Sequence, residues 1–305
     1  MTQQHDTYKS SATPVLTRLY ALTSRGWILG ALCVLPALGS LAAGPVADAA
    51  GSGANRPAWQ LQTTPLKPRP ASGLAPLKLR YEVSWSHWVR AGSIDIEFRP
   101  GKDRSTRWVQ ANARAKSLGV VRTLYTYDSD TSAQTSYEDL IPRRFTHVQT
   151  ENGVSAEYDA QYLNGRMRID WTVIPKDGKG AERKTLYHDV DGIRDVLSTL
   201  LYLQRTEFAD NHDIVLLVQP AERLYRVTFR VLGRESHKVM DKTWSTIKLD
   251  MQVRSVTDEL DLSPYTKMRR TTLWISDDTY RVPVDIQAEL FIGFVSVRLL
   301  SRTPL

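Results

Sequence analysis

The sequence predicts a mainly β architecture: a curved antiparallel sheet, built as a half-barrel or a sandwich of about a dozen strands, with one main amphipathic helix. Three observations predict it. Apolar and polar residues alternate with period two from Leu79 almost to the C-terminus. Asn-Gly and Asp-Gly pairs punctuate that alternation, and a single stretch follows the helical period instead. A hydrophobic content of 42% is too high for a disordered chain, and one cysteine is too few for a disulfide scaffold.

The elements follow in chain order. Lys9, Arg18 and Arg25 precede an uncharged run from Gly26 to Ala43, and Ala47-Asp48-Ala49 offers small residues for a signal peptidase. Residues 1–49 therefore read as a secretory signal and Ala50 as the mature start. The alternative is an uncleaved inner-membrane anchor, since the run approaches a full span. No adjacent arginines precede it, which favours the general secretion route. Cys33 lies in the run and leaves with it, so thiol catalysis and thiolate metal sites are excluded from the mature chain.

Forty basic against 33 acidic residues give a balance of +7, which becomes +6 without residues 1–49. A modest positive field suits anionic lipid or polysaccharide of a cell envelope. The basic residues are scattered, which argues against nucleic acid. Residues 50–77 hold Pro57, Pro65, Pro68, Pro70 and Pro76 among small residues, the composition of a disordered linker. Residues 78–305 make a single β-rich domain.

Within that domain, Leu79, Tyr81, Val83 and Trp85 alternate with Arg80, Glu82 and Ser84. Gly92 suits a tight turn before Ile94, Ile96 and Phe98. The alternation returns at Met167–Val173, Tyr225–Val231, Ile247–Val253, Leu273–Ile275 and Val282–Ile286. One apolar face per strand is the mark of antiparallel strands with a single buried side. Asn152-Gly153, Asn164-Gly165 and Lys176-Asp177-Gly178 supply the hairpin turns. These strands look too few and too short for a lipid-facing barrel, and the chain ends without an aromatic residue.

After Asp191-Gly192, Ile193, Val196, Leu197, Leu200 and Leu201 fall on one helical stripe that runs to about Arg205. Asp191 is placed to cap it, with Asp195 in its first turn. Such a helix lies as a plug or spine against a curved sheet, or on one face of a sandwich.

Chemistry is sparsely marked. Glu235-Ser-His237 puts a carboxylate and an imidazole on one face of a strand, a candidate acid–base pair. Asp277-Asp278, in the string Trp274–Val284, reads as a hairpin closed by carboxylates and alternatively as an acid–base or cation site. The histidines form no zinc pair, so no metal and no cofactor is expected. Trp85, Trp171, Trp244 and Tyr225 are core residues by default and candidates to line a ligand-binding concave sheet.

Four features together carry a family resemblance: Tyr81-Glu82-Val83-Ser84-Trp85 with Ala91-Gly92; the Asp195-led helix with Leu200, Leu201 and Arg205; Gly233-Arg234-Glu235; and Trp274–Val284. From about Leu79 to Leu299 the chain resembles the bacterial family called domain of unknown function 3108. The resemblance implies a secreted, β-rich envelope protein without an assigned activity. Its build is similar to that of periplasmic lipoprotein carriers, an analogy of architecture alone.

The expected function is thus a periplasmic binding or carrier protein for an apolar or amphipathic envelope component, ranked ahead of an enzyme. Two alternatives stand beside it. One is an enzyme acting on envelope glycan or lipid through Glu235, His237, Asp277 and Asp278. The other is an assembly protein that offers strand edges to an envelope partner.

Overall fold

The structure, a computed structural model, describes residues 57–65, 74, 76–100, 108–163, 165–266, 268–290 and 293–305. The residues read as a secretory signal, the rest of the stretch read as a linker and Asn164 lie outside the described residues.

The chain is a β meander. Strands β1 (Leu77–Trp85), β2 (Val89–Pro100) and β3 (Trp108–Ser117) lead through helix α1 (Gly119–Leu124) to β4 (Tyr127–Ser136). Then come β5 (Pro142–Glu151), β6 (Val154–Leu163), β7 (Arg166–Ile174) and β8 (Glu182–His188). The two-residue β9 (Ile193–Arg194) feeds α2 (Val196–Arg205). The second half comprises β10 (Asp213–Val218), β11 (Tyr225–Val239), β12 (Lys242–Val256), β13 (Leu262–Pro264), β14 (Arg270–Ser276), β15 (Pro283–Glu289) and β16 (Phe294–Pro304).

All sixteen strands of the described residues join one sheet, in the order β8 to β1, then β16, β15, β14, β12, β11, β10 and β9, with β13 beside β12. Of the two expected arrangements this is the half-barrel and not the sandwich. The ladder is antiparallel except for β9 on β10, which is parallel. Pairing of β1 with β16 fixes the chain's ends in the middle of the sheet, so β8 and β9 stand at its free edges.

More strands form than the alternation marked. Strands β3 to β6 put Ala111, Ala133, Thr131 and Ala160 on the inner face, small or polar residues that leave no apolar stripe to read. On the outer face, arginine and carboxylate face each other across neighbouring strands, as in Arg80–Asp95 at 2.9 Å, Arg114–Asp130 at 2.7 Å and Arg230–Asp213 at 2.8 Å. Such a face is the opposite of a lipid-facing apolar band.

Sixteen twisted strands curl, and α2 shows how far. It packs on β10 and also on β3 and β4, which lie well away along the same sheet. The sheet must wrap around the helix to bring both to it. Buried residues occupy nearly every side of α2, including Leu197, Leu201, Tyr202 and Gln204, so it is a plug. Its cap is Asp195, whose side chain accepts from Leu197 N and Ser198 N. The expected cap, Asp191, stands earlier because Ile193 and Arg194 are spent on β9.

The turn expected at Gly92 is displaced. Gly92 pairs with Val83 inside β2, and the reversal is made by Trp85-Ser86-His87-Trp88, closed by Trp88 N on Trp85 O at 3.0 Å. Ser86 and His87 hold φ of 45° and 65°, a conformation the sequence gives no sign of. The acidic string forms as read: β14, a turn, then β15.

Part of the stretch expected to be linker is built onto the domain. Thr64 donates its N–H to Val215 O at 2.7 Å and accepts Val215 N on Oγ1 at 2.9 Å, extending β10 along its free side. Trp59 Nε1 donates to Leu260 O at 2.9 Å, and Gln60 is buried. Residues 57–65 form a strap over the opening of the sheet.

Candidate functional site

Two regions gather polar groups, one on each face of the sheet. On the outer face, register places Lys248, Trp274, Asp285, Arg298 and Glu82 in one row across β12, β14, β15, β16 and β1. Glu235 and His237 of β11 both reach that row. Glu235 accepts the Trp274 indole N–H at 2.7 Å and Lys248 at 3.2 Å. The Trp274 hydrogen bond chiefly holds its carboxyl below the ordinary range. The His237 ring stacks on Trp274, with centroids 4.1 Å apart and planes within 8°, and its Nε2 donates to Asp285 Oδ2 at 2.9 Å.

Asp285 is 2% exposed, and His87 from the β1–β2 turn lies within electrostatic reach of it, of His237 and of Arg298. Burial first, then Arg298, keeps the His87 imidazole below its ordinary pKa. Chemically this is an oriented imidazole–carboxylate pair clamped against an indole. Its geometry latches the long β11–β12 hairpin to the sheet.

Asp277 and Asp278 belong to a separate arginine lattice. Asp278 accepts from Ser276 Oγ, Tyr280 N and Arg281 N at 2.9–3.1 Å and from Arg302 at 2.7 Å. Asp277 meets Arg234 at 3.2 Å and Arg281 at 3.5 Å. Arg234 neighbours Glu235 in the strand and so points to the opposite side. The structure therefore joins Glu235 to His237 through Trp274 and leaves the two aspartates with cations that close their turn. Among the described residues, no group of His, Asp and Glu is arranged to hold a metal ion.

The aromatic candidates are dispersed. Trp85 packs at the β1 end, where a Cβ on Gly293 would come within 3.2 Å of its Nε1. Trp244 lies beneath Lys242 at 3.6 Å and Arg302 at 5.2 Å. Tyr225 is buried edge-on to Tyr265. Trp171 alone stands on the inner wall of β3 to β8.

That wall is the second region. Ala113, Thr131, His147, Tyr158, Trp171 and Lys184 share one row across β3 to β8. Thr131 Oγ1 meets His147 Nδ1 at 2.8 Å, and rings follow at 5.9 Å to Tyr158 and 6.3 Å to Trp171. Lys184 lies 5.0 Å over Trp171. Burial keeps His147 below its ordinary pKa, hence neutral.

On one side of this row the wall is apolar, with Ala111, Ala133, Phe145 and Ile169 buried towards α2. On the other side come Ser129 and Gln149, then Tyr127 and Glu151. Burial raises the Glu151 carboxyl, which bonds to the Tyr125 hydroxyl. Ala113, Ala115, Trp171, Val173 and Leu186 on this wall are only half-buried, as are Tyr162 on β6 and Val253 on β12. The two ends of the sheet approach here without a ladder, through His188 Nε2 to Glu222 O at 3.3 Å and Tyr162 OH to Gln219 at 3.5 Å.

A family model described as protein of unknown function, DUF3108, matches residues 80–299. No curated protein matches the chain. Among solved structures, the chain is similar to a β-barrel-like protein of domain of unknown function DUF1849 from Brucella abortus. The identity is 14% and the TM-score 0.52, over 76% of this chain and 99% of that one. A putative exported protein with a YmcC-like fold from Bacteroides fragilis matches at 6% identity and TM-score 0.33, over 78% and 99% of the two chains. The hypothetical lipoprotein YmcC from Escherichia coli matches at 9% and 0.27, over 75% and 86%. The first likeness shows the β-barrel-like fold. No described helix is long and apolar enough to cross a membrane.

Proposed function

The chain belongs to the DUF3108 family, and from that premise we propose that it is a periplasmic binding or carrier protein, holding an apolar or amphipathic cell-envelope component on the inner wall of its half-barrel. The observation that carries this reading is the half-covered stretch of that wall. A core side is packed because apolar surface left in water costs about 25 cal/mol per Å². Here Trp171, Val173 and Leu186 on β7 and β8 remain partly open, and so do the small Ala113 and Ala115 on β3, further along the same wall. Small residues at the β3 end of the row that carries the ring ladder leave room for a chain, while Gln149, Tyr127 and Glu151 give a polar margin for its head. The basic start, apolar run and small-residue exit of the sequence support export to the periplasm.

The test is to purify the protein from its own periplasm and analyse a solvent extract by mass spectrometry. A stoichiometric lipid is expected from the wild type. Ala113→Trp, which fills the wall, should remove it, whereas Arg114→Gln on the outer side should not. An empty extract from a well-folded wild type overturns the reading.

A further inference from the structure

Antiparallel succession brings the β1–β2 turn, helix α1 and the turn after β12 to one end of the sheet. Trp88 stands there 91% exposed. The turn that carries it is built to hold the ring out. Ser86 and His87 both have positive φ, a conformation that costs a non-glycine residue energy. Three contacts keep the turn in that shape. Ser86 N donates to Phe294 O at 2.8 Å, Trp88 N donates to Trp85 O at 3.0 Å, and the His87 ring packs edge-on against Phe294 with centroids 4.9 Å apart.

Val120, in the first turn of α1, is 65% exposed. It belongs to the same corner, because Leu118 N donates to Ala91 O at 2.8 Å and seats α1 on the start of β2. Arg90, Lys116 and Arg122 reach solvent around the two apolar residues. Glu82, largely covered, takes both Arg90 at 3.3 Å and Arg298 at 2.8 Å. Asp128 takes Arg122 at 2.7 Å and stands opposite Lys116 in the ladder. The corner therefore turns more positive than negative charge to the solvent.

A projecting turn gives a protein partner no pocket to fill, whereas a headgroup layer yields around a single ring. Indole and cations together suit anionic headgroups, since the ring settles at the interface and each cation gains from the negative surface. The chain also enters the domain at this end, where Trp59 Nε1 donates to Leu260 O. Were residues 26–43 retained as an anchor, they would hold this same end at the bilayer.

We propose that this end of the sheet docks on a lipid surface with anionic headgroups. Trp88 and Val120 enter the headgroup layer, and Arg90, Lys116 and Arg122 rest on it. The surface lies apart from the inner wall, and neither reading needs the other.

Co-sedimentation of the purified protein with vesicles tests the docking. Binding is expected to vesicles of equal parts phosphatidylcholine and phosphatidylglycerol, and weaker by about tenfold to phosphatidylcholine alone. Trp88→Ser should weaken binding to the mixed vesicles about tenfold, and Lys116→Gln about fivefold. Both positions are exposed, so both variants should melt like the wild type. Ile141, between β4 and β5, is an exposed apolar residue at the opposite end of the sheet, and Ile141→Ser should bind as the wild type does. Equal binding to the uncharged vesicles, an unaffected Trp88→Ser variant, or an equal loss in Ile141→Ser overturns the docking. So does a wild type that binds neither vesicle, which gives the corner to a protein partner instead.

Discussion

Asp195 is fully buried, and its Oδ1 takes the first free N–H groups of α2 from Leu197 at 2.7 Å and Ser198 at 2.8 Å. Burial, the largest influence, raises its carboxyl pKa despite those bonds. Relative to the unfolded chain the fold favours the protonated form, so the charge weakens it at neutral pH. What the helix needs is the oxygen acceptor. Asp195→Ala should cost about 1–2 kcal/mol, as loss of an N-cap does. Asp195→Asn, which keeps the oxygen and drops the charge, should be at least as stable as the wild type at pH 7. Urea titrations of the two decide this; equal losses would show that the charge itself is required. Glu235 is the reverse case, an ionised carboxylate whose geometry was readable as far as its sharing a face with His237. Their common partner, Trp274, was not readable, because it lies 39 residues away in the chain.

At the scale of elements, the strap is the least expected. Thr64 acts on β10 as a short added strand, and the Tyr202 hydroxyl of the plug donates to Thr64 O and Pro65 O, each at 3.1 Å. Strap, edge strand and plug are therefore one assembly, bonded across the opening of the sheet. Thr64→Val removes the acceptor for Val215 N and leaves a buried N–H unpaired, at about 1–2 kcal/mol. Faster hydrogen exchange at Val215, with unchanged exchange in β1 and β16, is the expected outcome. Uniformly faster exchange would mean that the strap supports the whole domain. Proline-rich composition hid this element, since local sequence shows how stiff a segment is and not what it lies against.

For the whole molecule, acid is the informative variable. His87, His147 and His188 are all held below the ordinary value of 6.5, with burial the first cause in each. The unfolded chain then takes up protons first as pH falls, so these groups contribute stability above about pH 6.5 that is lost on acidification. Glu151 and Asp195, whose values are raised, act in the opposite sense nearer the carboxylate range. Stability should fall from pH 7 to pH 5, and His147→Gln should flatten that slope. A slope unchanged by His147→Gln would place the proton uptake elsewhere. The histidine sits in the ring ladder, so the same titration reports on the inner wall.

Alternation of residues by itself determined that the chain is mainly β, where the strands with apolar stripes run, and that the amphipathic helix α2 interrupts them, while the short α1 carried no such stripe. These are local matters, since strand and helix differ in the period at which side chains return to one face. The turn chemistry of Asn152-Gly153 and Asp277-Asp278 was local too. Tertiary structure alone decided that sixteen strands form one sheet, that its first and last strands meet at the centre, and that α2 becomes a plug. It alone set Glu235 beside Trp274, opened the inner wall at Ala113 and gave β12 two partners on one side, β14 and β13. Each depends on contacts between residues far apart in sequence, and the energy of such a contact lies in the pair and not in either residue.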